Sequence, residues 1–598
     1  GGTLNYTPAS AGTMNLNGSG TQTISGAGTF TTGANATLAV GASSTIDFGT
    51  SSIAGSGTFT TASGSSLITA NTSGINGSLT LANKILNSGT NYTFNGSSVQ
   101  ITGLSNIMSN MTIASGNTVT LNANANLTVN GTLTNNGTLT LESGATLVQG
   151  TGNTVAGSGT FNVKQALTGA GGSTPSGRFW YLGSPVSLAS STALNAAGNN
   201  RLWTFSEATQ LYSEITTNGV SMSPIQGHVV RLGASETSVF TGGTLNTGNY
   251  TNNSLTNTGT NAATRGYHLL SNPYPSYLDW SAAYAGATGI SSTIWYRSYN
   301  TTNSAMVFDT YNATGSVAAN NSGGTTTQYI PPMQAFWVYN PTDNTTGSLT
   351  FSNSMRSHQA NGGLKDIEDF PAFARLNLVD GDFIDQVVVF TEPNAKNKID
   401  NYDSKKFLLP NKPQVYATVG DEQLVINGLK SGMAKTIVPL TVELPNAQVY
   451  TFEMNESYVE NGSVILEDTQ EGVFQDMGIH TTYQFSGDAG VTANRFVLHF
   501  LLPTGNTSDS EDSQVGINDL SNAQIDVINN QQGSILVSIS SDLQASGEIQ
   551  ILDAAGSLIQ SKSISAHTTA LAIKQGAGIY FVRVITPLKS EMKKIFIY

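Results

Sequence analysis

The first 163 residues carry single aliphatic residues that alternate with threonine and asparagine. Leu139 and Leu141 are separated by one threonine, and this spacing places aliphatic and polar side chains on opposite faces of a strand. The same spacing recurs at Val119 and Leu121 and at Leu127 and Val129. Asn-Gly-Thr-Leu is repeated at 130–133 and 136–139. Because one coil buries little and stacked coils share a core, the pattern predicts a parallel β-helix or related solenoid over 1–163, rather than a disordered Ser/Thr/Gly linker.

Two further segments also have strand-like patterns, with a different composition. Residues 164–360 contain all five tryptophans and proline-rich turns, and residues 361–504 contain apolar runs of strand length. Each pattern predicts a β-sandwich module. The strands expected in 361–504 are Phe373–Leu378, Gln386–Phe390, Gln423–Ile426, Ile437–Val442, Val449–Met454, Ser463–Glu467 and Arg495–Leu502.

The C-terminal segment, residues 519–598, alternates apolar and polar residues between closely spaced turn signals. Ser534–Ile539 and Gly578–Val584 are examples of its short strands. This pattern predicts a small Ig-like sandwich, so the whole chain is expected to be all-β. Residues 505–518 are polar and acidic without an apolar pattern, which predicts a linker.

The charged residues are distributed unevenly, which supports boundaries near residues 164 and 360. Residues 1–163 contain only Asp47, Lys84 and Glu142, whereas residues 361–598 contain sixteen Lys/Arg and twenty-nine Asp/Glu. The net charge of −13 argues against a nucleic-acid partner. No apolar run approaches the roughly eighteen residues of a membrane-spanning helix, so we expect no membrane insertion. The absence of cysteine excludes disulfides and thiolate chemistry.

The order of strands and turns in the C-terminal segment resembles a known family. The most specific parts are Asp553–Gly556, Gly578–Tyr580, and Lys594 with Ile595. They are similar to the type A C-terminal sorting domain of the type IX secretion system of Bacteroidetes, although the family's proline-containing opening turn is missing at Val527–Asn530. The resemblance implies export across the outer membrane, with the outer-membrane translocon and its sorting-domain receptor as partners.

The same resemblance places the export signal in the terminal strand. It implies that the residues bound by the translocon are Gly578, Tyr580, Lys593, Lys594, Ile595 and Tyr598. The alternative is that the two lysines only protect an edge strand against aggregation. Removal of the domain after export by a sortase-like peptidase is also implied, and we expect cleavage within 505–516. Asn272–Pro275 and Gln334–Val338 resemble a module of the same class of secreted proteins, which implies no activity.

Motifs of catalytic chemistry are absent from the sequence. There is no Gly-x-Ser-x-Gly, no phosphate-binding loop and no His-x-x-x-His, and the six histidines are isolated. With two carboxylates and one lysine, the predicted solenoid cannot build the charged face that lyases of such folds use. We therefore expect no enzyme and no cofactor.

Two groups of residues allow a binding interpretation beside a structural one. Asp380, Asp382 and Asp385 could provide oxygen ligands for calcium, but an Asp-Gly hairpin turn explains them more simply. Trp280 and Trp295 could stack on sugar rings, because polar turns flank them, although aromatic residues in a sandwich usually belong to the core.

Together these patterns predict a secreted, cell-surface protein without catalytic activity. An adhesin is the first expectation, because rows of Thr, Ser and Asn suit weak multivalent contact with a polysaccharide or a solid surface, and gliding motility is one use we expect for it. The alternative is a carbohydrate-binding component of an extracellular polysaccharide-degrading system.

Overall fold

The computed structural model describes residues 4–25, 29–96, 99–101, 107–152, 154–170, 178–194, 200–358, 369–432, 435–459, 462–501, 525–529, 534–539, 543, 545–587 and 589–597. This part of the chain is almost entirely β, which confirms the predicted class. Its helical elements are α1 (Gly74–Ser78), α2 (Trp280–Ala285) and two 3-10 turns at Ser191–Ala193 and Asn353–Met355. Among these residues, no helix is long and apolar enough to span a bilayer.

The chain divides into two compact units. The first contains residues 1–299, 304–306 and 327–362, and the second contains residues 300–303, 307–326 and 363–598. Each is described separately below.

The first unit begins with a parallel β-solenoid of about six turns, as the alternation predicted. Leu139 is in register with Val119 on one side and Phe161 on the other, and all three are buried. The aliphatic residues thus stack in the interior while threonines face outward. The solenoid strands are β1 (Leu4–Tyr6), β2 (Gly12–Leu16), β3 (Thr21–Thr23), β4 (Phe30–Thr32), β5 (Ala36–Val40), β6 (Thr45–Asp47), β7 (Ile53–Thr61), β8 (Ser66–Thr69), β9 (Leu79–Ile85), β10 (Asn91–Phe94), β11 (Val99–Ile101), β12 (Ile107–Met108), β13 (Met111–Ile113), β14 (Thr118–Leu121), β15 (Asn126–Val129), β16 (Leu133–Asn135), β17 (Thr138–Leu141), β18 (Thr146–Gln149), β19 (Val155–Ala156) and β20 (Thr160–Leu167).

An antiparallel module follows the solenoid without a break in the core. Strand β20 pairs with a strand of the module, Glu236–Thr241, and one hydrophobic cluster extends from Leu38 to Met333. The change in composition near residue 164 therefore marks a change in sheet type, and the core continues across it. The strands of this stretch of sequence are β21 (Trp180–Leu182), β22 (Arg201–Ser206), β23 (Leu211–Glu214), β24 (His228–Arg231), β25 (Glu236–Thr241), β26 (Tyr250–Thr256), β27 (Tyr267–Ser271), β28 (Tyr277–Asp279), β29 (Thr293–Asn300), β30 (Ala305–Asn312), β31 (Val317–Ala319), β32 (Tyr329–Ile330), β33 (Ala335–Tyr339), β34 (Thr346–Phe351) and β35 (Arg356–Ser357). Of these, β31 and residues 307–312 of β30 belong to the second unit.

The second unit is built on one large sheet that curls over itself. Phe452 and Phe496 lie on strands that are not neighbours in the sheet, yet their ring centroids are 4.9 Å apart, so one sheet provides both layers of a sandwich. Its outer face is also covered in part, because Val317 packs in a cluster with Phe373 and Phe390. The strands are β36 (Ala372–Asp380), β37 (Phe383–Glu392), β38 (Ser404–Lys405), β39 (Gln414–Val419), β40 (Glu422–Lys430), β41 (Lys435–Leu444), β42 (Gln448–Val459), β43 (Ser463–Asp468), β44 (Val473–Asp476), β45 (Thr482–Gly487) and β46 (Gly490–Leu501).

A small C-terminal sandwich completes the second unit. It pairs a three-stranded sheet with a four-stranded one around a core rich in isoleucine, as the sequence predicted. Its strands are β47 (Ile525–Asn529), β48 (Ser534–Ile539), β49 (Gly547–Leu552), β50 (Leu558–Ile564), β51 (Thr568–Ala572), β52 (Gly578–Ile585) and β53 (Ser590–Ile597).

Candidate functional site

The predicted export-signal residues lie on the antiparallel pair β52 and β53. Tyr580 is opposite Ile595, and Phe581 is opposite Lys594. Within the described residues, β53 is an edge strand of the four-stranded sheet, which runs in the order β50, β49, β52, β53. An edge strand offers unpaired backbone groups to a partner.

Two of the predicted signal residues, Tyr580 and Ile595, contribute to the fold of the small sandwich more than to its surface, whereas Gly578 does not. Tyr580 and Ile595 are buried in the core, and the Tyr580 hydroxyl donates a hydrogen bond to the Gly576 carbonyl at 2.6 Å. Such a bond to backbone a few residues upstream fixes a corner of a sandwich. Gly578 is exposed, and a Cβ there would contact the Tyr580 ring at an ordinary 3.5 Å, so space does not demand a glycine.

The two lysines have different surroundings. Lys593 donates to Glu591 at 2.8 Å, and Lys589 lies 3.2 Å from the same carboxylate. Burial by itself would raise the pKa of Glu591, but the hydrogen bonds and charges of the two lysines outweigh it and hold the pKa below its usual range. Lys594 is exposed, and its ammonium lies 4.8 Å from the centre of the Phe596 ring. Of these two lysines, Lys594 is therefore the one without a carboxylate partner among the described residues.

Apolar side chains and the exposed Arg583, which is opposite Met592, surround Lys594 on the outer side of the sheet. Ile579, Met592 and Phe596 are 38%, 51% and 45% exposed, and Phe596 is directly opposite Ile579. We call Ile579, Phe581, Met592, Lys594 and Phe596 the outer sheet face. Sequence reasoning missed Met592 and Phe596, although the period of two gives them: if Ile595 and Ile597 point inward, their alternate neighbours point outward.

The turn Asp553–Gly556, quoted for the family resemblance, is a closed hydrogen-bonded turn. The Asp553 carboxylate accepts from the amides of Ala555 and Ser557 at 2.9 and 2.8 Å. Gly556 has a φ of +83°, in the left-handed region that favours glycine. Tyr598 and the predicted linker and cleavage segment 505–518 lie outside the described residues.

Trp280 and Trp295 belong to the core, as expected for aromatic residues of a sandwich, and the alternative that they are exposed is wrong. Their side chains are 0% and 1% exposed. The Trp280 indole donates to the Ser292 carbonyl at 2.8 Å and packs with its centroid 5.8 Å from that of Phe336. Polar turns flank both tryptophans in the sequence, but the side chains point into the core, which removes them as stacking residues for sugar rings.

The three aspartates of the calcium hypothesis do not come together. Asp380 ends β36 and Asp382 lies with Gly381 in a two-residue turn, where the φ of Gly381 is +56°. Asp385 is 1% exposed, and Lys406 donates to both of its carboxylate oxygens at 2.6 Å. The structural interpretation, an Asp-Gly turn, therefore describes this segment.

Other titratable groups form structural pairs. His499 is buried, and its Nε2 lies 2.8 Å from a carboxylate oxygen of Glu467. Burial lowers the pKa of His228 to about 4. In the part of the chain that the structure describes, no three His, Asp or Glu residues converge as metal ligands would.

Comparison with known families agrees with the geometry of the C-terminal sandwich. Residues 529–598 match the secretion system C-terminal sorting domain. The chain is therefore a cargo protein of the type IX secretion system, exported across the outer membrane to the cell surface or the medium. Residues 96–500 match the family described as "Domain of unknown function (DUF8693)", and because this match spans more than half of the 598 residues, the chain belongs to that family. A comparison with curated proteins finds no match.

Proposed function

We propose that this protein is a non-catalytic adhesin that the type IX system delivers to the cell surface. The observation that carries the proposal is that the solenoid of this exported chain has rows of uncharged polar side chains on its surface. Thr13, Thr37 and Thr58 are in register on three successive strands, and none of them is buried. Such rows of uncharged hydroxyl and amide groups favour many weak contacts with a polysaccharide or a solid surface.

The scarcity of charge on the solenoid supports a non-catalytic role. Among residues 1–163 the charged side chains are Asp47, Lys84 and Glu142, and Glu142 accepts a hydrogen bond from Lys164 at 2.7 Å. Acid–base chemistry on a polysaccharide needs at least two positioned carboxyl groups at one site.

Cell attachment tests the proposal. Cells that lack the chain, cells with the intact chain, and cells with residues 525–598 deleted are compared for surface display and for attachment to polysaccharide-coated and plain surfaces. We expect the deletion to leave the chain inside the cell and to reduce attachment as much as the complete absence does. Attachment that stays unchanged without the displayed chain would contradict the adhesin. Release of soluble fragments from a polysaccharide by the purified chain would contradict the non-catalytic role.

We further propose that the outer sheet face is what the export machinery contacts. Its support is the combination of an edge strand, a lysine without an acidic partner and a cluster of partly exposed apolar side chains around it. Lys594→Glu and Phe596→Ser are expected to reduce export while the domain stays folded, since both side chains point outward. Lys574→Glu is the matched control, because Lys574 is also exposed in this sandwich but lies outside β53. Equal export of Lys594→Glu and Lys574→Glu would contradict a role for this face.

The alternative of a carbohydrate-binding component was first supported by two tryptophans. Because Trp280 and Trp295 are buried, that support is lost.

A further inference from the structure

A polar cavity of about 560 Å³ lies within the second unit. Its volume is in the range of pockets for small organic ligands. Strands β36 and β37 provide its floor, the segment 316–325 after β30 forms one wall, and β42 forms the other. All of these elements belong to the same compact unit.

The floor of the cavity is an unusual strand surface, because it carries buried polar side chains. Arg375, Asn377 and Gln386 are 8%, 7% and 3% exposed. Gln386 accepts from the Arg375 guanidinium at 2.9 Å and donates to the Asn377 side-chain oxygen at 2.8 Å. It also accepts from the Asn320 amide of the wall at 2.9 Å. This network holds the floor rigid and ties it to the wall.

Some hydrogen-bonding capacity of this buried network is left over. Arg375 uses Nε for Glu456 at 2.9 Å and Nη1 for Gln386 and the Ala318 carbonyl, which leaves the Nη2 donors unused among the described contacts. Buried polar groups without partners are costly unless a ligand or water satisfies them.

The rim of the cavity adds exposed polar groups, one of them placed by a β-bulge. Arg375 is paired with Glu456 and Leu376 with Met454, so Asn455 is an extra residue between them. Asn455 is exposed and lines the cavity together with Asp382 of the Gly-Asp turn. Bulges of this kind redirect a side chain and are frequent next to functional sites.

The charges of the lining indicate the class of ligand. Arg375 is neutralised by Glu456, and Asp382 adds a negative charge on the rim. An anionic ligand would meet these carboxylates, whereas a hydroxyl group can donate to them and accept from the amide and guanidinium groups. Phe370 and Phe373 are each 2% exposed, so recognition relies on hydrogen bonds and not on stacking.

We infer that this cavity is a binding site for a neutral saccharide, with Arg375 and Asn377 below the sugar and Asp382 and Asn455 at the rim. The inference deepens the proposed adhesive function and rests on it, because it gives the displayed chain a specific contact in addition to the rows of the solenoid.

Titration calorimetry of the full chain tests this inference. The probes are neutral oligosaccharides of glucose, mannose and galactose, with an oligouronate as the charged comparison. Asp382→Ala and Asn455→Ala change exposed rim residues and leave the buried network intact. Asp421→Ala is the control for the first, because Asp421 follows Gly420 in an equivalent exposed two-residue turn outside the cavity. Asn446→Ala is the control for the second, since Asn446 is exposed on the same unit and does not line the cavity.

We expect a neutral oligosaccharide to bind, each rim variant to weaken it by roughly tenfold, and both controls to bind like the original chain. Three results would overturn the inference: tighter binding of the oligouronate, equal affinity of the rim variants and their controls, or no binding of any neutral saccharide in the panel. If no neutral saccharide binds but attachment of cells still requires the displayed chain, the saccharide site is refuted and the proposed adhesin is not. If the purified chain binds a saccharide at the cavity but cells that lack the chain attach equally well, the proposed adhesin is refuted and the saccharide site is not.

Discussion

The buried pair of Asp385 and Lys406 gives a quantitative test of the second unit. Lys406 donates to both oxygens of Asp385 at 2.6 Å, and the two side chains are 3% and 2% exposed. Burial raises the pKa of Asp385 and lowers the pKa of Lys406, in opposition to their mutual attraction. The cost of burying each charge is therefore offset by the attraction of the other.

The single substitution Lys406→Met should be severe. It leaves the Asp385 carboxylate in the interior with the Val415 amide, which donates at 2.7 Å, but without a cation. Removal of one partner of a buried pair costs about 3–5 kcal/mol of unfolding free energy. The double substitution Asp385→Leu/Lys406→Met removes both charges, and such replacements are neutral or stabilising by about 1–4 kcal/mol. The Val415 amide loses its acceptor at a cost of about 1–3 kcal/mol, so the double variant should lie within about 3 kcal/mol of the original chain.

Hydrogen exchange measured by mass spectrometry on peptides from 372–459 reports the stability of this unit. Tryptophan fluorescence is the internal control, because all five tryptophans lie in the first unit. Their fluorescence should not change when the second unit is destabilised. We expect a coupling energy of about 3 kcal/mol or more between the two substitutions. Additive effects, or a cost below about 1 kcal/mol for Lys406→Met, would show that water screens the pair and would refute the reasoning. A stability that depends on calcium would instead restore Asp385 as a metal ligand.

Three other predictions concern residues that the sequence singled out or the structure revealed. Trp280→Ala should destabilise the first unit by about 3–5 kcal/mol, because it removes a buried ring and the hydrogen bond from the indole to the Ser292 carbonyl. Denaturant unfolding measures this loss, and an unfolding midpoint equal to that of the original chain would contradict the burial of Trp280. Tyr580→Phe should lower the unfolding free energy of the C-terminal sandwich by about 1 kcal/mol, whereas Gly578→Ala should change this free energy by less than about 0.5 kcal/mol. Thermal unfolding measures both, and a larger effect of Gly578→Ala than of Tyr580→Phe would be inconsistent with their contacts. Burial raises the pKa of Asp403 to about 6, above its value in the unfolded chain, so the folded state binds this proton more tightly and the second unit should lose about 2–3 kcal/mol as pH rises from about 4 to 6. Asp403→Asn should flatten this slope. Hydrogen-exchange protection, corrected for the pH dependence of the intrinsic exchange rate, that is equal at the two pH values would contradict the prediction.

The strands were largely predictable from the sequence, because local alternation records burial. The seven strands expected in 361–504 all occur, with ends within five residues of those predicted. Strands β38, β39, β44 and β45 were missed. β38 and β44 are only two and four residues long. β39 and β45 show the period of two, but each run has few strongly apolar residues to mark it. Such strands are specified by their neighbours in the sheet.

The roles of individual residues were less predictable. The terminal strand was found from its family resemblance, yet which side chains point outward depends on the register of β53 against β52. Flanking polar turns suggested an exposed Trp280, and tertiary packing placed it in the core. Asp385 followed a turn in sequence, but its partner Lys406 is 21 residues away.

By itself, the sequence determined that this protein is a chain of β-modules with a solenoid, that it lacks cysteine, and that its last segment is an export domain. These properties depend on composition, on local periodicity and on short motifs. Only the tertiary structure decided that the core runs on from the solenoid into the next module. It also decided that the segment 316–325 closes a polar cavity over Arg375 and Gln386. Such features depend on contacts between residues far apart in the chain, and the pattern of a single strand does not encode which distant segment will cover it.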